Sequence, residues 1–172
     1  MKKYWCILLM MLCVAIFPSC NNSDNEDPSE TYKEWREQNE KFMEDNVYYN
    51  TDYSRIQSQS KMGYIYYKVI KTGEDTEPIL YTSTVKVGYE GKLINGTIFD
   101  TNIAPYGKPV DFVVNGVVDG FATALQNMHV GDRWEVWMPW QLGYGASGNR
   151  EGAIAPYTAL FFTIEVVEIV KK

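Results

Sequence analysis

The chain has 172 residues, of which 15% are aromatic and 22% are charged, and its formal net charge at pH 7 is −6. This length suits one ordinary domain with an appendage and argues against two full domains. The composition lacks the low hydrophobicity and the extreme charge of disordered chains. The acidic balance makes nucleic acid a poor partner, and we expect none.

The N-terminal residues have the pattern of a targeting leader. Lys2 and Lys3 form a positive region, and an uncharged stretch from Trp5 to Phe17 forms an apolar one. Its 13 residues are too few to span a bilayer, which needs about 20. A small residue then precedes Cys20, and this junction resembles the lipobox of bacterial lipoproteins. We therefore predict a lipoprotein signal peptide over residues 1–19 and lipid attachment at Cys20, with ordinary secretion as the alternative.

The segment after the leader is predicted to be an acidic flexible tether over residues 20–29. Cys6 and Cys13 lie in the leader, so no disulfide, cysteine nucleophile or cysteine metal site is expected in the mature chain. Loss of the leader leaves 14 basic residues against 22 acidic ones, a formal net charge of −8. The tether also resembles the acidic tract that directs some lipoproteins to the cell surface, and a plain solvated linker is the alternative. We expect a lipid-anchored protein of the cell envelope, on the outer membrane, facing the periplasm or the surface.

A helical extension and loop are predicted over residues 30–62. From Thr31 to about Asn46, apolar residues such as Trp35 and Phe42 recur at helical spacing among charged ones. We predict that this helix docks on the main domain, and pairing with a second copy of the chain is the alternative. A polar loop is predicted from Asn50 to Lys61.

The main domain is predicted over residues 63–172, where short runs rich in Tyr, Val, Ile, Phe and Thr alternate with turn residues. The predicted strands are Tyr64–Lys71, Ser83–Leu93, Val110–Val114, Gly131–Met138 and Leu160–Val170. One short helix, at about Phe121–Met128, interrupts them. Mostly antiparallel strands with one helix indicate an α+β domain whose sheet folds over the helix.

Motifs for cofactors are missing from the sequence. There is no glycine-rich nucleotide loop and no cysteine pair, and His129 is the sole histidine. One histidine cannot build an imidazole-based metal site or a serine triad. We interpret His129 as a turn residue before Gly131 and expect neither a metal nor a cofactor.

Six short motifs carry the functional signal. They are Val85–Gly91, Asn95–Thr101, Val117–Phe121, Met128–Asp132, Leu142–Gly145 and Ile154–Phe162. Together they resemble the FKBP family of peptidyl-prolyl cis/trans isomerases, whose pattern runs V-x-V-x-Y-x-G, D-G-x-x-F-D-S, V-I-x-G-W, G-M-x-x-G-E, a-Y-G and I-P-P-x-x-x-L-x-F. One block would be a weak signal, whereas six in order, over about Lys68 to Lys171, are specific.

The resemblance implies an antiparallel sheet half-wrapped around one short helix, with a prolyl pocket between them. The residues that match the family's site are Tyr89, Phe99 and Phe162 as pocket walls, Phe121 as its floor, Val117 and Val118 beneath the ligand, Asp100 and Tyr144 at the polar rim, and Ile154 in the flap. The backbone N–H of Val118 would bind a substrate carbonyl. For each aromatic residue, ordinary core packing is the alternative.

The function implied by the resemblance is rotation of X–Pro bonds in envelope or exported proteins, without covalent chemistry. A desolvating aromatic pocket favours the twisted amide, and Asp100 is read as an orienting acceptor rather than a general base. The implied partners are proline-containing polypeptides, with macrolide immunophilin ligands as a further class. A weakly active or inactive proline-peptide or partner-binding module is the alternative, and a structural lipoprotein is a third.

The sequence departs from the family pattern at several site positions. Phe121 replaces the usual Trp of the floor, Ala155 replaces the first Pro of the flap motif, and Val110 stands where the family often has Phe. Phe112, two residues beyond Val110, is interpreted as core only. The loop over residues 102–108 lacks the arginine that often pairs with the aspartate, so Asp100 is expected to be less restrained.

Changing Cys20 to Ser tests the predicted anchor. We expect Cys20→Ser to release the protein from the membrane fraction, because this is the one cysteine placed to take the lipid and stable anchoring generally needs more than one acyl chain. The measurement is membrane fractionation of cells that express either form. Unchanged fractionation of the variant would show that something other than Cys20 holds the protein there.

Overall fold

The structure, a computed structural model, describes residues 28–149 and 153–170. The predicted leader, Cys20 and most of the predicted tether lie outside the described residues. Across these two ranges, no helix is both long enough and apolar enough to cross a membrane.

The N-terminal extension is helical, as predicted, and lies on the main domain. Its elements are helix α1 (Pro28–Thr31), helix α2 (Lys33–Met43) and a π-helical turn (Glu44–Tyr48) that continues α2. Met43 and Val47 are each 1% exposed and pack with Tyr66 and Ala159 in a small second core. Burial of these apolar side chains stabilises the docked position.

Seven strands form one sheet. They are β1 (Ser54–Gln57), β2 (Tyr64–Lys71), β3 (Thr84–Lys92), β4 (Ile98–Thr101), β5 (Val110–Val113), β6 (Arg133–Met138) and β7 (Leu160–Val170). The spatial order is β1-β2-β6-β7-β3-β4, and β5 pairs with the first half of β3. Every pair is antiparallel, which confirms the predicted fold class.

Two of these strands were not predicted. Strand β1 lies inside the predicted polar loop, and β4 lies inside one of the six motifs. Both are four residues long. In β1 the one apolar residue is Ile56, and β4 has two apolar residues followed by two polar ones, so neither sequence alternates apolar and polar residues in the way that marks a strand. Their backbones are extended because they pair with β2 and β3, which are distant partners in the sequence.

Helix α3 (Asp119–Leu125) is the short helix inside the sheet, and six of its seven residues are buried. Its core neighbours include Val87, Val136 and Ile164 from three central strands. The helix was predicted at about Phe121–Met128, which is wrong at both ends. It begins at Asp119, and it ends early because the N–H groups of Asn127 and Met128 bond to carbonyls three residues back, as in a turn.

His129 lies in the turn that leads into β6, as predicted. Its backbone N–H donates to Asp132 Oδ2 at 2.8 Å, and the other carboxylate oxygen of Asp132 accepts the Gly73 N–H at 2.6 Å. This carboxylate therefore joins the loop at Gly73 to the turn at His129. Asp132 is 4% exposed, so water has little access to either bond. Here His129 contributes its backbone to a turn.

Helix α3 approaches β6 closely at Gly120. A Cβ atom at this position would lie 2.8 Å from Met138 Sδ and 3.2 Å from the Leu142 carbonyl oxygen. The first distance is shorter than real Cβ contacts, so either the Met138 side chain or the helix would have to shift to admit a side chain here. Phe121, the next residue, depends on this spacing for its depth in the core.

Substitution of Gly120 tests that spacing. We expect Gly120→Ala to lower the free energy of unfolding by about 1–3 kcal/mol through overpacking. Urea denaturation followed by circular dichroism gives the value. Gly63→Ala is the matched control, because its nearest atoms would be 3.7 Å away, and it should change stability by less than about 0.5 kcal/mol. Equal stability of the two variants would show that the contact at Gly120 relaxes freely.

Candidate functional site

A cavity of about 280 Å³ opens between helix α3 and the sheet. This volume is at the lower end of the size of small-ligand pockets, which is roughly 300–1,000 Å³, and suits one small ring with its adjoining peptide bonds. The cavity is lined by Tyr89, Phe99, Asp100, Phe112, Gly116, Val117, Val118, Phe121, Tyr144 and Phe162. They come from strands β3, β4, β5 and β7, from helix α3 and from two connecting segments.

The aromatic rings of the cavity hold one another edge to face. The ring centroid of Phe121 lies 5.1 Å from that of Phe162 and 5.9 Å from that of Tyr89, with interplanar angles of 81° and 82°. Phe99 meets Phe162 at 5.6 Å and 90°. Aromatic quadrupoles favour these edge-to-face contacts, so the rings form a rigid apolar base.

Gly91 on strand β3 makes room for two of these rings. A Cβ atom there would lie 2.5 Å from Phe99 Cζ and 2.8 Å from Phe162 Cε1. Both rings therefore pack directly onto the bare backbone of β3. This contact explains why the first motif needs its glycine two residues after Tyr89.

The polar rim of the cavity contains a tyrosine–aspartate pair. The Tyr89 hydroxyl donates a hydrogen bond to Asp100 Oδ2. Burial raises the pKa of Tyr89, and the bond to Asp100 and the charge of that carboxylate raise it further. Tyr89 therefore stays a neutral donor at ordinary pH. The expectation that Asp100 is less restrained without an arginine stays a prediction, and in this structure Tyr89 is the residue that holds its carboxylate.

Asn102 holds the backbone beside Tyr89, and the sequence analysis did not predict it as a site residue. Strand β5 pairs with β3 as far as Val87, and β4 takes over only at Glu90, which leaves a gap in the ladder. The Asn102 side chain fills it, because its Oδ1 accepts the Tyr89 N–H at 2.7 Å and its Nδ2 donates to the Val87 carbonyl at 2.9 Å. At 9% exposure this amide has little access to water.

Val117 and Val118 line the cavity just before helix α3. Val118 has extended backbone angles and occupies the N-cap position of the helix. Its carbonyl accepts the first helical bond, from Ala122 N–H at 3.0 Å. Among the hydrogen bonds of residues 28–149 and 153–170, none uses the Val118 N–H, so this donor is available to a ligand carbonyl.

Tyr144 and Ile154 lie on the open side. Tyr144 is 38% exposed and lines the cavity, whereas Ile154 is 3% exposed and lines an adjoining cavity that shares Phe99, Asp100 and Tyr144 with the first. Ile154 and Asn149 bond reciprocally, through Ile154 N–H to Asn149 Oδ1 at 2.9 Å and Asn149 N–H to the Ile154 carbonyl at 3.0 Å. Residues 150–152, which lie between Asn149 and the flap residue Ile154 in the sequence, are not among the described ones.

Of the nine pocket residues predicted from the sequence, eight line one cavity and Ile154 lines its neighbour. The interpretation of Phe112 as core only is wrong, because it lines the cavity with its ring 5.7 Å from that of Tyr89 and 6.2 Å from that of Phe121. Val110 is 44% exposed and does not line the cavity. Alternation along β5 places Phe112 on the same face as Val110, so the face alone does not distinguish the wall residue from the exposed one.

The chemistry of the cavity is that of a binding surface. Its described lining contains no serine, cysteine, histidine or lysine, and Asp100 is its one carboxylate. It combines an apolar aromatic base with a backbone donor and a hydroxyl–carboxylate pair at the rim. Such an arrangement can desolvate a small apolar ring and orient the polar groups beside it.

Comparison with known proteins gives one matching family model, that of the FKBP-type peptidyl-prolyl cis-trans isomerases, over residues 76–167. The chain is 44% identical over 103 residues to the FKBP-type 22 kDa peptidyl-prolyl cis-trans isomerase of Escherichia coli K12, covering 60% of this chain and 48% of that protein. It is 40% identical over 105 residues to the outer membrane protein MIP of Legionella longbeachae, covering 61% and 44%. The chain thus spans about half the length of these relatives.

Among solved structures, the fold is similar to that of a peptidyl-prolyl cis-trans isomerase from Pseudomonas syringae pv. tomato. The TM-score is 0.67 and the sequence identity is 26%. The similarity covers 81% of this chain and 96% of the other. It therefore extends beyond the matched family segment into the N-terminal part.

Substitution of Asn102 tests its role in the strand gap. We expect Asn102→Ala to lower the free energy of unfolding by about 1–3 kcal/mol, because it removes the acceptor of the Tyr89 N–H and one donor to the Val87 carbonyl. Urea denaturation again supplies the measurement. The control is Asn46→Ala. The Asn46 side chain also donates to a backbone carbonyl, that of Phe42 at 2.9 Å, but it is exposed, so water can replace the lost bond. A loss at Asn102 no larger than at Asn46 would contradict the bridging role.

Proposed function

The chain belongs to the FKBP-type peptidyl-prolyl cis-trans isomerase family, and on that premise we propose that its aromatic cavity catalyses rotation about X–Pro peptide bonds. One observation carries the proposal. Four aromatic rings from three strands and one helix converge edge to face on a cavity the size of a prolyl ring and its neighbours. The Tyr89–Asp100 pair supplies polarity only at the rim.

The reaction needs no bond to be made or broken. C–N resonance opposes rotation of the peptide bond with a barrier of about 18–20 kcal/mol, so uncatalysed X–Pro exchange takes tens to hundreds of seconds. In the twisted transition state the resonance is lost and the carbonyl carries less charge separation. Water therefore stabilises the planar form more than the twisted one, and a dry cavity removes that preference.

The positions of the lining residues support the roles that the family resemblance implies for them. Phe121 forms the floor on which the prolyl ring rests, with Tyr89, Phe99 and Phe162 as walls. Val117 and Val118 lie beneath the ligand, and the Val118 N–H binds a substrate carbonyl. Asp100 and Tyr144 orient the peptide at the rim, and Ile154 covers it from the flap. Phe112 adds a further wall beside Tyr89.

The wider context of the activity is part of the same proposal. The catalytic domain occupies residues 63–172, and Cys20 anchors the chain to the envelope through the tether of residues 20–29. A relative named outer membrane protein MIP supports an envelope or periplasmic location. The substrates are proline-containing polypeptides of that compartment, and macrolides that bind immunophilins are a further class of ligand.

The test is a proline-peptide isomerisation assay in which thermal midpoint and rate are measured together. We expect the wild-type chain to be active. Asp100→Leu should lower the rate at least about tenfold, because a misoriented prolyl amide loses its positioning. It should change stability by no more than about 1 kcal/mol, because the Asp100 side chain is exposed. Phe99→Ala should lower both the rate and the stability. Because the Phe99 ring is only partly buried, the stability loss should stay below the roughly 3–5 kcal/mol of a fully buried ring.

Asp111→Leu is the matched control for Asp100→Leu. Asp111 is also an exposed strand aspartate, but it does not line the cavity, so the variant should keep the wild-type rate. A stable Asp100→Leu protein with the wild-type rate would remove Asp100 from the site. A wild-type chain that binds proline peptides without turnover would instead make the chain a proline-peptide-binding module.

A further inference from the structure

Helix α2 is hydrogen-bonded to the segment that leads away from Ile154. The Trp35 indole N–H donates to Thr158 Oγ1 at 2.8 Å, and that hydroxyl donates to the Ala155 carbonyl at 2.7 Å. Thr158 is 2% exposed, so water has little access to replace either bond. Because Ala155 directly follows Ile154, this two-bond relay restrains the backbone beside the flap residue.

Asn39, one turn further along α2, holds the other end of the same segment. Its side chain is fully buried, with Oδ1 accepting the Ala159 N–H at 2.9 Å and Nδ2 donating to the Trp35 carbonyl at 2.8 Å. Ala159 immediately precedes strand β7, which carries Phe162. The amide therefore ties the start of that strand to the helix.

Tyr157, in the middle of the segment, packs against Arg36 and Trp140, and Glu40 bonds both of these side chains. Glu40 Oε1 accepts the Trp140 indole N–H at 3.0 Å and the Arg36 Nε–H at 2.8 Å. Burial alone would raise the pKa of Glu40, but the bonds from Arg36 and Trp140 hold that pKa below its usual value. The Arg36 guanidinium lies 5.1 Å from the ring centroid of Tyr157, where it makes a cation–π contact.

Tyr157 needs that support because its backbone is in the left-handed region, with φ at +59°. A non-glycine residue keeps such a conformation only where its surroundings enforce it. The Trp140 ring packs edge-on at 5.0 Å, and the Tyr157 N–H donates to the Gly145 carbonyl at 2.9 Å. Gly145 directly follows Tyr144, so the segment also fixes the loop that carries this rim residue.

Residues 155–159 thus connect the three parts of the chain that carry Tyr144, Ile154 and Phe162, and helix α2 is the element that holds them. We infer that α2 belongs to the machinery of the isomerase site, with Trp35 and Asn39 as positioning residues that set the flap and the start of β7 against the cavity. Neither residue lines the cavity, so each acts through the 155–159 segment. The inference rests on the proposed function, because it assigns these residues to that site.

The test uses the full-length chain with Trp35→Phe, Thr158→Val and the two combined. Trp35→Phe removes the indole N–H together with part of the ring volume, whereas Thr158→Val removes the hydroxyl with little change of shape. We expect kcat/KM per folded molecule to fall about three- to tenfold in each single variant, mainly through KM, because a loosened flap holds the peptide less well. The combined variant should fall no further, since both changes break one relay. The Ile154 methyl signals in NMR spectra should shift, whereas those of core Ile65 should not.

Two controls separate positioning from simple stabilisation. Thr158→Ser keeps the hydroxyl, so its kcat/KM should lie within about twofold of the wild-type value. Its Ile154 methyl signals should stay at their wild-type positions. Lys41→Gln breaks an exposed ion pair with Asp45 on the same helix and should alter neither. If Trp35→Phe lowers the thermal midpoint but leaves kcat/KM and the Ile154 methyl signals unchanged, α2 only stabilises the fold and the inference is overturned. An inactive wild-type chain would instead overturn the proposed function and, with it, the assignment of α2 to an isomerase site.

Discussion

Everything in the site depends on how closely helix α3 can approach the sheet. Gly120 lets the helix backbone reach Met138 without a side chain between them, and the next residue, Phe121, then meets Phe162 at 5.1 Å. A longer separation would leave the rings out of contact and let water reach the floor of the cavity. Close packing of this kind resists small displacements, because protein interiors have few voids to absorb them. The apolar base of the cavity is therefore a consequence of helix–sheet packing.

Strand β3 organises the other side of the cavity. It pairs with β7 along its whole length and with β5 and β4 in turn on its opposite edge, so Tyr89 lies where one partner ends and the next has not begun. Asn102 supplies the missing backbone partners there. Asn39 has the same role between helix α2 and the start of β7. In both places a buried amide accepts a hydrogen bond from a backbone N–H, that of Tyr89 or of Ala159, and a buried backbone group without a partner is costly.

Much of the fold could be predicted because its signals are local. Strands β2 and β7 occupy the predicted residues, β3, β5 and β6 differ by at most two residues at an end, and the docked helix lies where the spacing of Trp35 and Phe42 indicated. Alternation and helical spacing are visible within a few residues of sequence. Strands β1 and β4 were not predicted because they are short and are extended only through pairing with β2 and β3. Phe112 was misread because its role depends on which rings from other strands surround it.

The sequence by itself determined five of the seven strands, because apolar periodicity and turn residues act over short distances. The resemblance of its six motifs to the FKBP family gave the family and the eight residues that meet at one cavity. Only the tertiary structure decided how those residues are held. The Asn102 amide bonds a carbonyl 15 residues away, and the Asn39 amide bonds an N–H 120 residues away. No local pattern distinguishes such an asparagine from one in a solvated loop. What distinguishes it is burial beside a backbone group that lacks a partner, and that exists only once the chain has folded.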